Sequence, residues 1–414
     1  MISTCPLCGG TAFAPILTVT GLPVEEGRFP STAAAAAAVP TGTCVLCHCT
    51  SCGLLYDAGP RPEQVTYDVG YTTFMGHSPS FAAHVRDTAV RLVDEYGLAG
   101  GAAVDIACGF GDFLEALLGA GMAEGTGIDP AAGRPEDPRI RMVREYFRAE
   151  LLPSDIALVS CRHMIYLLDD PVRFLRSLRD GLGDRNPVLY LELMNRAPAV
   201  LAGDPWDVTY EHRSYFTAQS ARRLLRATGF APSAVREVHH GGFLGVEARP
   251  TATEPRGAER GSAEEDGAEE GSALVAEVAG LQARADERVA GWRDSLRGVR
   301  ESGGRVVAWC AGARAIAFLA LAEAGPEVAA VVDLSPARQG RYMPGSARPV
   351  AAPGEVPGLA PDAVLVTNTA YTGEVREELA RLGLSLVPVV ELDDPDGPRA
   401  LLSAVRGTPA GRSR

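Results

Sequence analysis

The chain has 414 residues and a net charge of −13. That length exceeds one ordinary hydrophobic core, so two or three domains are expected. The acidic balance argues against nucleic acid or an anionic membrane as the main partner, since both demand a basic face. Every basic residue is arginine, which excludes a lysine Schiff base. Hydrophobic content of 46% and charged content of 22% describe a globular composition. No run approaches 18 apolar residues, and the opening "MISTCPLCGG" lacks a basic segment followed by an apolar one. Neither a membrane-spanning helix nor a secretory signal is therefore expected, and a cytoplasmic location is.

Six of the nine cysteines fall in the first 52 residues. Cys5-x2-Cys8 and Cys49-x2-Cys52 are each followed by glycine, Gly9 and Gly53. A glycine after the second cysteine permits the tight knuckle that aims two thiolates at one ion. Two such knuckles supply the four sulfurs of a closed, structural zinc site, Cys5, Cys8, Cys49 and Cys52. Cys44-x2-Cys47 has the same spacing, but His48 follows it, and residues 45–49 read as a strand entering the second knuckle. Cys44, Cys47 and His48 are accordingly taken as non-ligands.

Residues 61–100 read as mostly helical around an irregular "YDVGYTTFMGHSPSF". Next, "AAVDIACGFGDFLEALLGAG" gives a buried strand, Ala102 to Ile106, a turn with Gly109 and Gly111, and an amphipathic helix from about Phe113. "GTGIDP" adds a second strand ending in Asp129, followed by Pro130. A strand, a glycine turn against a helix start and an acid closing the next strand form the nucleotide half of a doubly wound sheet. The glycines let the backbone approach a ligand, and the acid accepts hydrogen bonds from two ribose hydroxyls. A dinucleotide prefers G-x-G-x-x-G, whereas here Ala107, Gly109 and Gly111 alternate and Asp112 opens the helix. A carboxylate there repels a pyrophosphate. S-adenosylmethionine carries no phosphate and is the expected cofactor in place of NAD. Asp105, Ala107, Gly109, Gly111, Phe113, Asp129 and Pro130 are its expected contacts.

Further strands are read at 155–160 and 187–193, with a helix between them from Val172 to Gly181. His163 stands where the first of these strands ends, the side on which open α/β sheets bind ligands. It is read either as a site residue or as a capping or structural histidine. A helix opened by Thr217 and strands around 233–248 complete this domain. Residues 250–272 are acidic, of low complexity and without large apolar side chains, the composition of a disordered linker. A long helix from about Ala273 to Ser302 follows. "RVVAWCAGARAIAFLALAEAG" then repeats the strand, turn and helix, "VAAVVDLSP" ends a strand at Asp333, and "DAVLVTN" and "SLVPVVEL" read as two more strands. The turn "CAGAR" is poor in glycine, so no second cofactor is assigned.

Within the first unit, after the strand at 187–193, lies "WDVTYEHRSYF", residues 206–216, which holds the one Glu-His neighbour pair of the chain. Carbon becomes a nucleophile towards a sulfonium methyl group when a proton alpha to a carbonyl is removed, which needs a base near neutral pKa. His212 suits that task, with Glu211 orienting it and Tyr210 and Tyr215 lining a substrate cleft. The structural reading pairs Glu211 with Arg213 and has His212 cap the helix at Thr217.

The zinc knuckles, "DIACGFGDFL…GIDP", "YEHRSYF" and the C-terminal "VVDLSPARQGRYMPG…PV" together resemble the deoxysugar C-methyltransferase family over nearly the whole chain except the acidic linker. The resemblance implies four segments. A zinc module occupies 1–60, a class I S-adenosylmethionine methyltransferase domain 61–250, the linker 251–272 and a Rossmann-like domain 273–414. It implies a thymidine-diphospho 4-keto sugar bound between domains, with proton abstraction by Glu211 and His212; His163 is the reserve base from its place at a strand end, and Tyr71, Tyr215 and Arg213 are expected near the substrate. The chain departs from the family at three places. It reads Thr209-Tyr210-Glu211-His212 where the family tends to carry Tyr-His-Glu-His. Tyr71 is followed by Thr73 where a tyrosine pair is usual, and Leu167 stands near a position often held by histidine. The expected activity is thus carbon methylation of a keto-sugar or related natural-product intermediate. O- or N-methylation is the alternative, and a non-enzymatic scaffold the third class.

Overall fold

In the computed structural model, residues 3–61, 65, 67, 68, 70, 71, 75–133, 135–251, 278 and 280–407 are described. Residues 252–272 of the expected linker, the helix start read at 273–277, and Thr73 lie outside them.

The first sheet is antiparallel, in the order β1 (Phe13–Pro23), β2 (Thr41–Cys49), β3 (Leu55–Asp57) and a late strand, β9 (Ser214–Tyr215). The helix expected across 61–100 is confined to Pro79–Tyr96. Ser78 caps it, Pro79 occupies its first turn and Gly97 ends it in the left-handed region. Phe81, Val85, Ala89 and Leu92 recur at helical spacing and form its buried face.

The central sheet has seven strands in the order β10-β11-β8-β7-β4-β5-β6. These are β4 (Ala102–Ile106), β5 (Glu124–Ile128), β6 (Ile140–Val143), β7 (Leu158–Arg162), β8 (Val188–Met194), β10 (Phe230–Val238) and β11 (Phe243–Pro250). β11 alone runs against its neighbours. With β4 as the first strand this order is 3-2-1-4-5-7-6, the class I methyltransferase arrangement. β4 is buried at all five positions because helices cover both its faces. The order reverses between β4 and β7, so the crevice at their carboxyl ends is the ligand position of such sheets.

The C-terminal sheet is parallel, β14-β13-β12-β15-β16, from β12 (Val306–Trp309), β13 (Val328–Val332), β14 (Val350–Ala351), β15 (Ala363–Val366) and β16 (Val389–Glu391). Three modules read separately from the sequence do not pack separately. Leu17, Val19 and Leu22 of β1 share one apolar core with Trp206, Trp292, Phe318 and the C-terminal sheet. Phe318 meets both tryptophans edge-on at 5.4 Å. Such pairs add ~0.5–1.5 kcal/mol each to the burial of their area. The N-terminal module is thereby fastened to the C-terminal domain.

Candidate active site

The sulfurs of Cys5, Cys8, Cys49 and Cys52 all lie within 4.8 Å of one another, with Cys5–Cys52 and Cys8–Cys49 at 3.6 Å. Tetrahedral Zn–S bonds of about 2.3 Å put sulfurs about 3.8 Å apart, so the four thiols fit one ion. Gly9 and Gly53 adopt φ of 68° and 73°, and their amides donate to Cys5 O and Cys49 O, closing the two knuckles. Cys44 points elsewhere: its thiol faces Thr209 O and Arg61.

A cavity of about 1240 Å³ opens at the carboxyl ends of β4, β5 and β7. Its first wall is the turn after β4. Asp129 accepts from Gly109 N at 3.0 Å and Ala131 N at 2.6 Å. A Cβ built on Gly109 would meet nothing within 4 Å, so the turn presents open backbone to the cavity. Asp105 takes the Ser160 hydroxyl at 2.6 Å, and burial pushes its carboxyl up to about 7. Asp105, Ala107, Gly109, Asp129 and Pro130 line the cavity. Gly111 and Phe113 do not, contrary to expectation. Gly111 starts the following helix at φ 89°, and Phe113 turns into the core beside Tyr190, under Arg162.

His163 lines the same cavity, as read. It leaves β7 at φ 60°, a strained conformation for a side chain of this size. Its Nε2 lies 3.0 Å from Glu192 Oε1. Glu192, fully buried, also binds His84 at 2.9 Å, Tyr190 at 2.7 Å and Arg162 at 3.1 Å. Burial alone would raise its pKa, but Arg162, His163 and His84 hold it well below the usual range. Burial keeps His163 below the ordinary histidine value.

The "YEHRSYF" stretch is placed differently from both readings. β9 joins the N-terminal sheet beside β3, not the edge of the cofactor sheet. Glu211 and His212 both line the cavity but do not converge. The Glu211 carboxylate accepts from Glu26 N at 2.7 Å, Tyr71 at 2.6 Å and Tyr67 at 3.5 Å. Burial, then the neighbouring Glu26, push its carboxyl up to about 8. The His212 ring instead packs on Tyr166 with centroids 4.4 Å apart. Its Nδ1 is buried without a hydrogen-bond partner among the described residues, and burial with Arg196 and Arg61 holds the ring neutral. Thus Glu211 does not orient His212. Nor does Glu211 pair with Arg213, which binds Asp57 at 2.9 Å and Asp169 at 2.5 Å. Thr217 and Ser220 cap the next helix without His212.

Three further expectations are corrected. Arg213 is consumed by those two aspartates and does not reach the cavity. Tyr215 is buried, with its hydroxyl on Thr209 N at 3.3 Å. Tyr210 lies under Arg61 at 4.0 Å. The turn closed by His212 N on Thr209 O breaks strand alternation ahead of Ser214–Tyr215, and both rings enter the N-terminal core. Tyr71 does line the cavity, and the tyrosine partner that position 73 lacks stands at 67, ring centroids 4.8 Å away. The sequence reading missed Glu26, Tyr67, Tyr166 and Glu192, none of which belongs to a spaced motif. It also missed the far wall, where Asp333, Asn368 and Tyr371 bring the C-terminal domain onto the cavity.

Residues 81–235 match the model described as a methyltransferase domain, and residues 238–385 match that of the C-methyltransferase C-terminal domain. The C-methyltransferase NovU of Streptomyces niveus is 29% identical over 336 residues, 75% of this chain and 78% of that one. Magnesium protoporphyrin IX methyltransferase of Synechocystis PCC 6803, solved with bound S-adenosylmethionine, aligns at 16% identity and TM-score 0.31, covering 42% of this chain and 80% of its own. The mitomycin 7-O-methyltransferase MmcR aligns at 21% identity and TM-score 0.33, covering 41% and 54%. The sheet order, the open turn and the domain match define an S-adenosylmethionine-dependent methyltransferase. More particularly, the match of residues 238–385 to a C-methyltransferase C-terminal domain and the likeness to a curated C-methyltransferase support a C-methyltransferase family. Among its described residues no helix is long and apolar enough to cross a membrane.

Proposed function

We propose that this C-methyltransferase acts on a carbon alpha to a ketone, on a nucleotide-activated deoxysugar or a related natural-product intermediate. The observation that carries the reading is the shared cavity. One space is lined by the cofactor turn, by His212, Glu211 and Tyr71, and by the C-terminal domain, with room for a large polar substrate beside a cofactor. S-adenosylmethionine, when bound, supplies an electrophilic methyl group. The neutral imidazole of His212 accepts the alpha proton, and Tyr71, held by Glu211, faces the developing enolate oxygen. His163, whose Nε2 lies 3.0 Å from Glu192 Oε1, is a second group able to take a proton. The sulfurs of Cys5, Cys8, Cys49 and Cys52 are proposed to hold one structural zinc.

Product formed with methyl-labelled S-adenosylmethionine, analysed by mass spectrometry and NMR, tests the reaction. A new carbon–methyl bond next to a carbonyl is expected, and a methyl group on oxygen or nitrogen would overturn the reading. His212→Ala should lose about 10²–10⁴-fold in kcat, the usual worth of a positioned base. About one zinc per chain is expected by metal analysis, and full zinc retention in a Cys5→Ser, Cys49→Ser double variant would reject the ligand set.

A further inference from the structure

Glu26 lies just beyond β1, in the N-terminal module, and 185 residues separate it from Glu211. The two acids nevertheless hold each other's main chain. Glu26 N donates to Glu211 Oε1 at 2.7 Å, and Glu211 N donates to Glu26 Oε1 at 3.2 Å. Both side chains are buried, at 8% and 4% exposure, and both line the cavity. Among the described residues no arginine lies within ion-pair distance of either carboxylate. Arg196 and Arg61 act on Glu26 only from further off, and Thr209 bonds its side chain. Tyr67 and Tyr71 face Glu211 from the segment after β3. Tyr166 stands behind, against His212. Like charges held this close in a poorly hydrated wall cannot both ionise near neutral pH. Neither Glu25 next door, half-buried and on Arg28, nor any other glutamate of the cavity wall is placed in this way.

We propose that Glu26 is a positioning residue of the methyl-transfer reaction: paired with Glu211, it makes the two carboxyls hold one proton between them, which Tyr71 relays to the substrate. This rests on the enolate reading above. As the carbon-bound proton leaves to His212, the Tyr71 hydroxyl gives its proton to the forming enolate oxygen and is refilled from neutral Glu211. When the carbon takes the methyl group and S-adenosylhomocysteine is released, the oxygen returns its proton to Tyr71 and Glu211. The pair ends as it began, and the one proton lost from carbon departs through His212. Burial raises Glu26 like its partner, against Arg196, Thr209, the Glu211 main-chain amide and Arg61, which lower it.

Because Glu211 must be protonated, activity should fall as pH rises through about 8, its raised value. Glu26→Gln removes the like charge and should move that alkaline limb of the kcat profile to lower pH, while S-adenosylmethionine affinity stays unchanged. Glu26→Asp keeps a charge and should restore most of the wild-type profile. Infrared spectra of the resting wild-type enzyme, carrying 13C-carboxyl glutamate, read the shared proton without substrate and without any variant. A protonated glutamate carbonyl band present at pH 7 and lost near pH 8 is expected. The label separates it from Asp105 and Asp204, whose carboxyls also titrate near 7. No such band, or an unmoved alkaline limb in folded Glu26→Gln, overturns the proposal. A product methylated on oxygen or nitrogen, with the band present, would instead remove the enolate reading and leave the shared proton standing.

Discussion

The cavity is walled by two copies of one backbone device, and among the described residues only one of them leaves its acid without an arginine. In the first, β4 ends at Ile106, Ala107 turns at φ 59°, and Asp129 after β5 accepts from the amide of Gly109. In the second, β12 ends at Trp309, Cys310 turns at φ 77°, and Asp333 after β13 accepts from the amide of Ala311 at 2.9 Å. The acids then differ. Asp333 also takes Arg338 at 3.2 Å and Ser335 N at 2.8 Å, while Arg338 lies 5.1 Å over the ring of Phe29. Among the described residues no arginine lies on Asp129. The same strand exit and acid therefore make either a ligand position or an internal tie, according to whether a cation already occupies the carboxylate. Here the tie also binds the N-terminal module, since Phe29 belongs to it.

Three substitutions probe that difference. Asp333→Ala removes the Arg338–Asp333 ion pair, and breaking a buried pair costs about 3–5 kcal/mol. The lower end is expected because Arg338 keeps Ala311 O at 3.2 Å. A fall in thermal midpoint with unchanged S-adenosylmethionine affinity would confirm the tie, and weakened cofactor binding in a folded variant would make the two devices alike. Asp129→Ala should do the reverse. Loss of hydrogen bonds to a charged acceptor is worth about 1.5–3 kcal/mol, roughly a 10- to 100-fold rise in cofactor Kd by calorimetry, with little change in stability. The smallest effect is at the seam, where His239 meets the Tyr371 hydroxyl at 3.2 Å. Tyr371→Phe removes one hydrogen bond, about 0.5–1.5 kcal/mol, and should raise the substrate KM by no more than about tenfold while kcat holds. A larger loss in kcat would mean that the second wall takes part in the chemistry.

The four cysteines, the first turn and the acid at 129 were legible because each is a local pattern. Spacing fixes the knuckles, and a buried strand followed by glycines fixes the turn. The strands at 102–106 and 188–194 and the helix at 171–182 were read within a residue or two, since periodicity is also local. The direction of the side chains in "YEHRSYF" was not legible. A turn at residues 209–212 leads into the two residues of β9 that pair with β3, and together they put Tyr210 and Tyr215 in the core while Glu211 and His212 line the cavity on separate partners. Glu26 carries no motif at all, and its role exists only because the N-terminal sheet docks where it does.

By itself, the sequence determined the class of fold, the cofactor turn and the sulfur cluster, because short-range sterics and ligand spacing specify them. The tertiary structure alone decided which carboxylates are free, which are tied to arginine and which are forced to share a proton. Those properties depend on burial and on charges brought together from opposite ends of the chain. No spacing rule records a contact made across 185 or 312 residues, such as Glu26 with Glu211 or Phe29 O with Arg341.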